Sequence, residues 1–491
     1  MSLKKNVIAN YLGQAWTAIM GLVFVPLYIK YLGMEAYGLI GIFIMLQAWL
    51  ALLDMGMTPT LSREMARYTA GKHTEQSIRD LLRTLEIIAV SLAVLLYAGL
   101  SLSATWLASH WLQTEKIAPA ELAQAITVMG LVIALRFVEG LYRSAIIGLQ
   151  QQVWLNIAGA VLATLRSGGV VLVLLWIAPT IECFFFWQGI ISTITIVTFI
   201  AVTYRHLPAS PQPAQFSLPQ LQAVGRFAGG MMLTTFLSLL LTQVDKIILS
   251  RLLSLELFGY YTLASIVAGT LYQFILPITQ AYLPRFTELA TQHNTTALIK
   301  IYHQGAQLIN VLVIPAALTL VLFGGRLLLL WTNNPLLTEN VTPLLTLLGI
   351  GTLLNGFMNM PYLLSVAYGW TKFSVYLNLV AVIFLVPSMI WATLHYGAIG
   401  AAWIWLILNA GYILIGVHFL YWRLLSSEKW QWYKHLVLST VAALLVGKVC
   451  AFLLPAEVTE ITEFASIVVS SGLMAGAAWL CSPALLTRRI L

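Results

Sequence analysis

Long apolar runs, repeated from one end of the chain to the other, constrain this sequence more than any other feature. Segments of about 20 apolar residues, the length a helix needs to cross a bilayer, fall near 7–29, 37–61, 84–107, 122–147, 153–178 and 182–203. A connector with Pro208, Pro211, Pro213 and Pro219 follows. Eight more segments run near 224–250, 257–283, 303–324, 341–367, 373–395, 398–422, 435–454 and 464–486. The separation of 373–395 from 398–422 rests on the turn His395-Tyr396-Gly397. Charged residues make up only 9% of the 491, against roughly 25% in a soluble domain. Such a chain cannot clothe a water-facing surface, so a soluble multidomain enzyme is excluded. The expectation is an all-α polytopic membrane protein of about 14 transmembrane helices, its first segment a retained span rather than a cleaved signal.

The basic residues orient these spans. With a cytoplasmic N-terminus, 17 of the 26 Lys and Arg fall on the inner side. Only Lys30, Lys116, Arg251 and Arg326 fall on the outer side. That split is the positive-inside pattern, and it places both termini in the cytoplasm. It also accounts for the net charge of +8 without invoking nucleic acid.

The sequence repeats itself at an offset of 221 residues. Lys30-Tyr31-Leu32-Gly33-Met34-Glu35-Ala36-Tyr37-Gly38 lies over Arg251-Leu252-Leu253-Ser254-Leu255-Glu256-Leu257-Phe258-Gly259. One step further, Leu61-Ser62-Arg63 lies over Leu283-Pro284-Arg285. Six spans separate the copies, so they share one orientation, as in transporters built of parallel repeats. The predicted organisation is a six-helix lobe over 1–204, a connector over 205–221, a second six-helix lobe over 222–425 and two further helices over 426–491. The lobes are expected to face a central cavity and to alternate its access.

Ionisable groups at bilayer depth are costly and mark functional positions. Arg136, Glu139 and Arg143 share one face of the fourth span through i, i+3, i+7 spacing. Arg166 lies mid-way along the fifth, before Ser167-Gly168-Gly169. Asp245 and Lys246 on the seventh are adjacent and point about 100° apart. Asp54 lies in the second, before Met55-Gly56-Met57. The deep arginines outnumber the deep carboxylates of this half, and a cationic surplus in low dielectric suits an anionic ligand, best a phosphate held bidentately. Arg136, Arg143 and Arg166 are the candidate substrate-binding residues, with Arg166 favoured and Glu139 expected to hold Arg136 and Arg143. Asp54, Glu139 and Asp245 are candidates for ion coupling. The bland alternative is that these charges pair, Glu139 with Arg136, Arg143 or Arg166 and Asp245 with a neighbouring basic group, and lock the bundle. Tyr11, Trp16, Tyr142, Trp154 and Tyr272 lie deep enough to stack on sugar rings.

No Walker loop, dinucleotide fingerprint or His-Glu-x-x-His motif occurs, and Cys183, Cys450 and Cys481 lack metal-ligand spacing. No cofactor or metal is expected, which leaves an H+ or Na+ gradient, the membrane potential or the substrate gradient as the driving force.

The run Asn6 to Ala70 resembles the start of bacterial polysaccharide-unit flippases of the Wzx type. The similar elements are the early Asn-Tyr-Leu span, the loop from Tyr31-Leu32-Gly33 to Tyr37-Gly38, and Asp54-Met55-Gly56 followed by Leu61-Ser62-Arg63-Glu64. Those flippases belong to the multidrug/oligosaccharidyl-lipid/polysaccharide exporter superfamily. The resemblance extends to the whole chain in span count and lobe arrangement. It implies a non-enzymatic transporter of the bacterial inner membrane that flips an undecaprenyl-diphosphate-linked oligosaccharide, such as an O-antigen unit, to the periplasmic leaflet. By position, the resemblance implies that the family's basic cavity residues correspond to Arg136, Arg143, Arg166 and Lys246, which makes Lys246 a further substrate-binding candidate. Membrane lipids and other polysaccharide-assembly proteins are the implied partners. A peptidoglycan-precursor flippase, a multidrug/cation antiporter of the same superfamily and a membrane-embedded glycan polymerase are the alternatives. The absence of a large outer loop argues against the last.

Overall fold

The computed structural model describes residues 3–54, 56–69, 71, 74–207, 212–454 and 459–486. Pro208 and Pro211 of the connector and Met55 lie outside them. Among the described residues all regular structure is helical, apart from an isolated bridge between Gln113 and Ser254. The chain forms two compact units, Met1–Gly259 and Tyr260–Leu491.

The first unit holds α1 (Leu3–Val23), α2 (Val25–Leu53), α3 (Met57–Thr69), α4 (Glu75–Trp106), α5 (Pro119–Gly148), α6 (Gln152–Trp176), α7 (Ile181–His206) and α8 (Leu218–Leu252). Pro26 and Pro119 open α2 and α5, where their missing N–H costs nothing. The hydroxyls of Thr74 and Thr180 cap α4 and α7 by accepting from the N–H groups of Ser77 and Cys183. α2 runs through the expected first outer loop and is interrupted only at Gly33. The second expected span, 37–61, is not continuous. It stops at Leu53 and restarts at Met57, because Gly56 sits at φ 74° and the Asp54 carboxylate turns back to cap α3. Leu61 and Met65 of α3 pack with Leu81, Leu82 and Leu85 of α4 and Phe137 and Leu141 of α5, which fixes α5 in the unit.

α9 (Leu255–Gly269) leads into the second unit. There it is followed by α10 (Tyr272–Thr291), α11 (Thr295–Thr332), α12 (Pro335–Ala367), α13 (Thr371–Gly411), a π turn at Tyr412–Gly416, α14 (Val417–Arg423), α15 (Lys429–Leu453), α16 (Glu460–Leu480) and the short α17 (Pro483–Leu486). α13 breaks at Gly397, at φ 62°, ψ −146°, a conformation open to glycine and hostile to other residues. Its 41 residues would otherwise make a rod of about 60 Å, twice the hydrocarbon thickness. The core of this unit centres on Ile275, Phe286, Tyr302, Tyr421 and Trp432.

Among the described residues, ten helices are long and apolar enough to cross a membrane, or eleven when α9 and α10, bent by 41°, count as one span. One of the ten is the stretch Lys372–Arg423 that Gly397 divides. Leu102, Trp176 and Phe452 are 80% or more exposed, and with polar residues turned inward such a surface requires lipid. The protein is a multi-pass membrane protein.

Candidate functional site

Three helices of the first unit, α5, α6 and α7, bring the deep charges together. Arg136 lies near the middle of the 30-residue α5. One of its terminal nitrogens donates to Gln47 Oε1 of α2 at 2.5 Å and the other to Gln188 Oε1 of α7 at 2.8 Å. Its guanidinium also lies 4.8 Å from the centre of the Phe43 ring. All these partners are neutral, and Arg136 makes no ion pair among the described residues. Its Nε–H is buried without a protein partner. One turn along α5, Glu139 takes the other arginine: Arg166 Nη2 of α6 lies 3.2 Å from Glu139 Oε2 and 3.4 Å from Thr195 Oγ1. Gln188 and Thr195 are two turns apart on α7, so one helix face serves both guanidinium groups.

Two expectations are corrected here. Glu139 holds neither Arg136 nor Arg143 but pairs with Arg166, because α6 packs where its side chain can reach while the Arg136 fork is filled by two amides. Of the two less exposed arginines, Arg136 and Arg166, the one without a carboxylate among the described residues is therefore Arg136. Arg143, two turns nearer the end of α5, is exposed and makes no ion pair among the described residues. Lys246 lies on α8, its Nζ 3.7 Å from Asp245 Oδ1 and donating to the Thr242 carbonyl at 3.2 Å. The adjacent side chains thus meet despite their divergent directions, since the long lysine stem folds back, and among the described residues Lys246 makes no hydrogen bond or ion pair with the arginine cluster.

Asp54 serves the backbone. Its carboxylate accepts from the Thr58 N–H at 3.2 Å and from the Thr58 hydroxyl at 2.9 Å. Of the aromatic candidates, Tyr142 is buried and donates to Glu86, so its ring is not free to stack. Tyr272 donates to Asn355, Trp154 packs edge-on against Phe199, and Tyr11 and Trp16 are exposed on α1. The sequence reading passed over Gln47 and Gln188. Gln188 is only 5% exposed, and a lone amide inside an otherwise apolar run was the available signal. No group of three His, Cys, Asp or Glu side chains suited to a metal occurs among the described residues.

The sequence matches the family described as Polysaccharide biosynthesis protein over residues 3–290, more than half of its length. The chain belongs to that family. It also matches the MatE family over residues 231–391. A Shigella flexneri protein named "Putative O-antigen transporter" is 19% identical over 407 residues, covering 82% of this chain and 94% of that one. Among solved structures, the fold is similar to "Lipid II flippase MurJ, inward closed conformation" with a TM-score of 0.68 at 14% identity, covering 96% of this chain and 98% of the other. It is also similar to an inward-facing multidrug resistance MATE family transporter of the MOP superfamily, with a TM-score of 0.60 at 14% identity, covering 87% and 96%. The family membership agrees with the polysaccharide branch that the N-terminal resemblance implies, and the fold is the one these solved structures share.

Proposed function

We propose that this transporter flips an undecaprenyl-diphosphate-linked oligosaccharide, an O-antigen or related repeat unit, from the cytoplasmic to the periplasmic leaflet of the bacterial inner membrane by alternating access. The observation that carries this reading is Arg136, a cation at mid-helix depth bound only by neutral groups. An uncompensated charge in low dielectric costs several kcal/mol, and a diphosphate costs at least as much when brought there alone. Each offsets the other. Guanidinium keeps its charge when buried and offers a planar fork, while Gln47 and Gln188 hold that fork in one orientation. Arg166 would add a second cation once its carboxylate partner is displaced, and Arg143, exposed towards the end of α5, suits an earlier contact with the phosphates.

Coupling to H+ or Na+ is part of this reading. Asp54 is committed to capping α3, so the coupling carboxylates are Glu139 and Asp245. Replacing each by its amide and measuring transport across a pH or sodium gradient tests this, and unchanged gradient dependence in both would remove it.

The main test is display of surface polysaccharide in a flippase-null strain, with membrane abundance measured in parallel. Arg136→Gln should abolish display at normal abundance. Arg136→Lys should reduce it at least tenfold, because one ammonium cannot engage two amides and a diphosphate in the same geometry. Full display by Arg136→Gln would overturn the proposal. A peptidoglycan-precursor flippase would use the same diphosphate contact. Rescue of a strain lacking that activity, with no rescue of polysaccharide display, would favour it instead.

A further inference from the structure

The second unit holds a cavity of a different chemistry. About 190 Å³ of space lies between α12, the start of α13 and the π turn, lined by Asn355, Asn359, Tyr362, Ser374, Asn378 and Tyr412, with Phe373 and Leu377 beside them. No lining residue is charged. The amides are fixed by a chain of hydrogen bonds. The Tyr272 hydroxyl donates to Asn355 Oδ1 at 2.9 Å, Asn355 Nδ2 to Oδ1 of the fully buried Asn409 at 2.8 Å, and Asn409 Nδ2 to the Trp405 carbonyl at 2.8 Å. Asn359 Nδ2 donates to the carbonyls of Asn355 and Gly356, both at 3.1 Å, and the Tyr412 hydroxyl donates to Asn378 Oδ1 at 3.2 Å.

These bonds use one half of each outer amide. The Asn359 Oδ1 acceptor and the Asn378 Nδ2 donor make no hydrogen bond among the described residues. Unspent amide groups on membrane-spanning helices are costly unless something polar meets them. A phosphate would require cations, and an apolar molecule would leave the amides unmatched. A sugar ring fits both demands: its hydroxyls donate and accept, it carries no charge, and its C–H face packs on aromatic rings such as Phe373 and Tyr412. The volume lies below the roughly 300–1,000 Å³ of pockets for drug-sized ligands, which suits one ring and not a whole oligosaccharide. The positive-inside pattern also places these segments in the cytoplasmic half of their spans, where a substrate from the inner leaflet would arrive.

We infer that this cavity is a glycan subsite, separate from the arginine site, that holds one sugar ring of the carrier-linked oligosaccharide. The inference rests on the flippase reading above. Its test compares two probes on the full-length protein in lipid nanodiscs: undecaprenyl diphosphate, and the same carrier bearing the host strain's repeat unit. The wild type should bind the glycan-bearing carrier more tightly. Asn378→Leu and the cavity-filling Ser374→Phe should lower that preference by about three- to tenfold, the loss expected for one or two neutral hydrogen bonds, while binding of the glycan-free carrier stays within about twofold. Tyr412→Phe, which removes only the hydroxyl orienting Asn378, should lower the preference less and guards against misfolding of the larger changes. Arg136→Gln should weaken both probes alike. An unchanged preference in all three cavity variants, at normal thermal stability, overturns the subsite alone, as does a wild type with no preference. A wild type that binds neither probe overturns the flippase reading itself.

Discussion

At the scale of single residues, the site depends on which arginine has a carboxylate. Arg166 and Glu139 are 21% and 12% exposed, so each relies on the other more than a surface pair would. Removing one partner of such a pair leaves an uncompensated charge and costs more than removing both. Glu139→Gln should lower stability by about 3 kcal/mol, the low end of the range for breaking a buried pair. The double variant Glu139→Gln with Arg166→Gln should recover most of that loss. Thermal unfolding of the four proteins of this cycle is the measurement, and a Glu139→Gln variant that melts like the wild type would show that the pair contributes little. The charges themselves were legible in the sequence, and so was the shared face of Arg136 and Glu139. The sequence leaves open which of Arg136, Arg143 and Arg166 takes Glu139, because that depends on α6 and α7 being the neighbours of α5, and Gln47 and Gln188 come from spans far apart in the chain.

Among elements, the junction of α2 and α3 and the two copies of the repeat show what a short motif can and cannot reveal. Asp54-Met55-Gly56 was visible as a motif, but hydropathy carried the span through it. The break comes from local backbone chemistry, a capping carboxylate and a glycine at positive φ, to which an apolar average is blind. Replacing a capping Asp by Ala costs about 1 kcal/mol, whereas Asn caps nearly as well. Asp54→Ala should therefore lower the melting temperature, with Asp54→Asn close to the wild type and its transport unchanged. Altered gradient dependence in Asp54→Asn would instead restore Asp54 to ion coupling. The repeat is reciprocal in space. A Cβ on Gly259 would stand 2.7 Å from the Met34 carbonyl, and one on Gly38 would collide with the carbonyl of Leu255. Met34 is the repeat equivalent of Leu255, and Gly38 of Gly259. Each copy thus presents a carbonyl to the other copy's glycine, which explains why both positions lack a side chain. Sequence alignment reveals the copies; only the fold shows that they touch.

For the whole molecule, the sidedness drawn from the basic residues can be examined through its exceptions. All four basic residues assigned to the outer side have specific partners. Lys116 Nζ lies 2.9 Å from Glu256 Oε2, and Arg326 lies 3.4 Å from Glu463. Arg251 lies over the Trp111 ring and Lys30 over Tyr31. Local contacts thus hold all four side chains, as they hold the inner-side Arg63, Arg67, Arg83 and Arg285. Lys116 and Arg251 also mark a closed contact in the first unit. Glu35 accepts from the N–H groups of Glu115 and Lys116 at 2.8 and 2.9 Å, its repeat equivalent Glu256 binds the Lys116 side chain, and Gln113 pairs with Ser254. The hydrogen bond to Glu256 raises the Lys116 pKa. That contribution is complete below the ordinary lysine pKa and is lost only as pH rises beyond it, so neutral pH does not open the contact. Under the alternating access proposed above, an outward opening would part these segments once in each cycle. Residues paired in a β-bridge have Cα atoms close enough for a disulfide. In a background with Cys183, Cys450 and Cys481 replaced by Ser, Gln113→Cys with Ser254→Cys should cross-link on oxidation, and an oxidant confined to the periplasm should suffice. Polysaccharide display should then stop and return on reduction, with each single variant unaffected. Full display by the cross-linked protein would mean that transport proceeds with this contact shut, and that the outer segments of the first unit are not the moving gate.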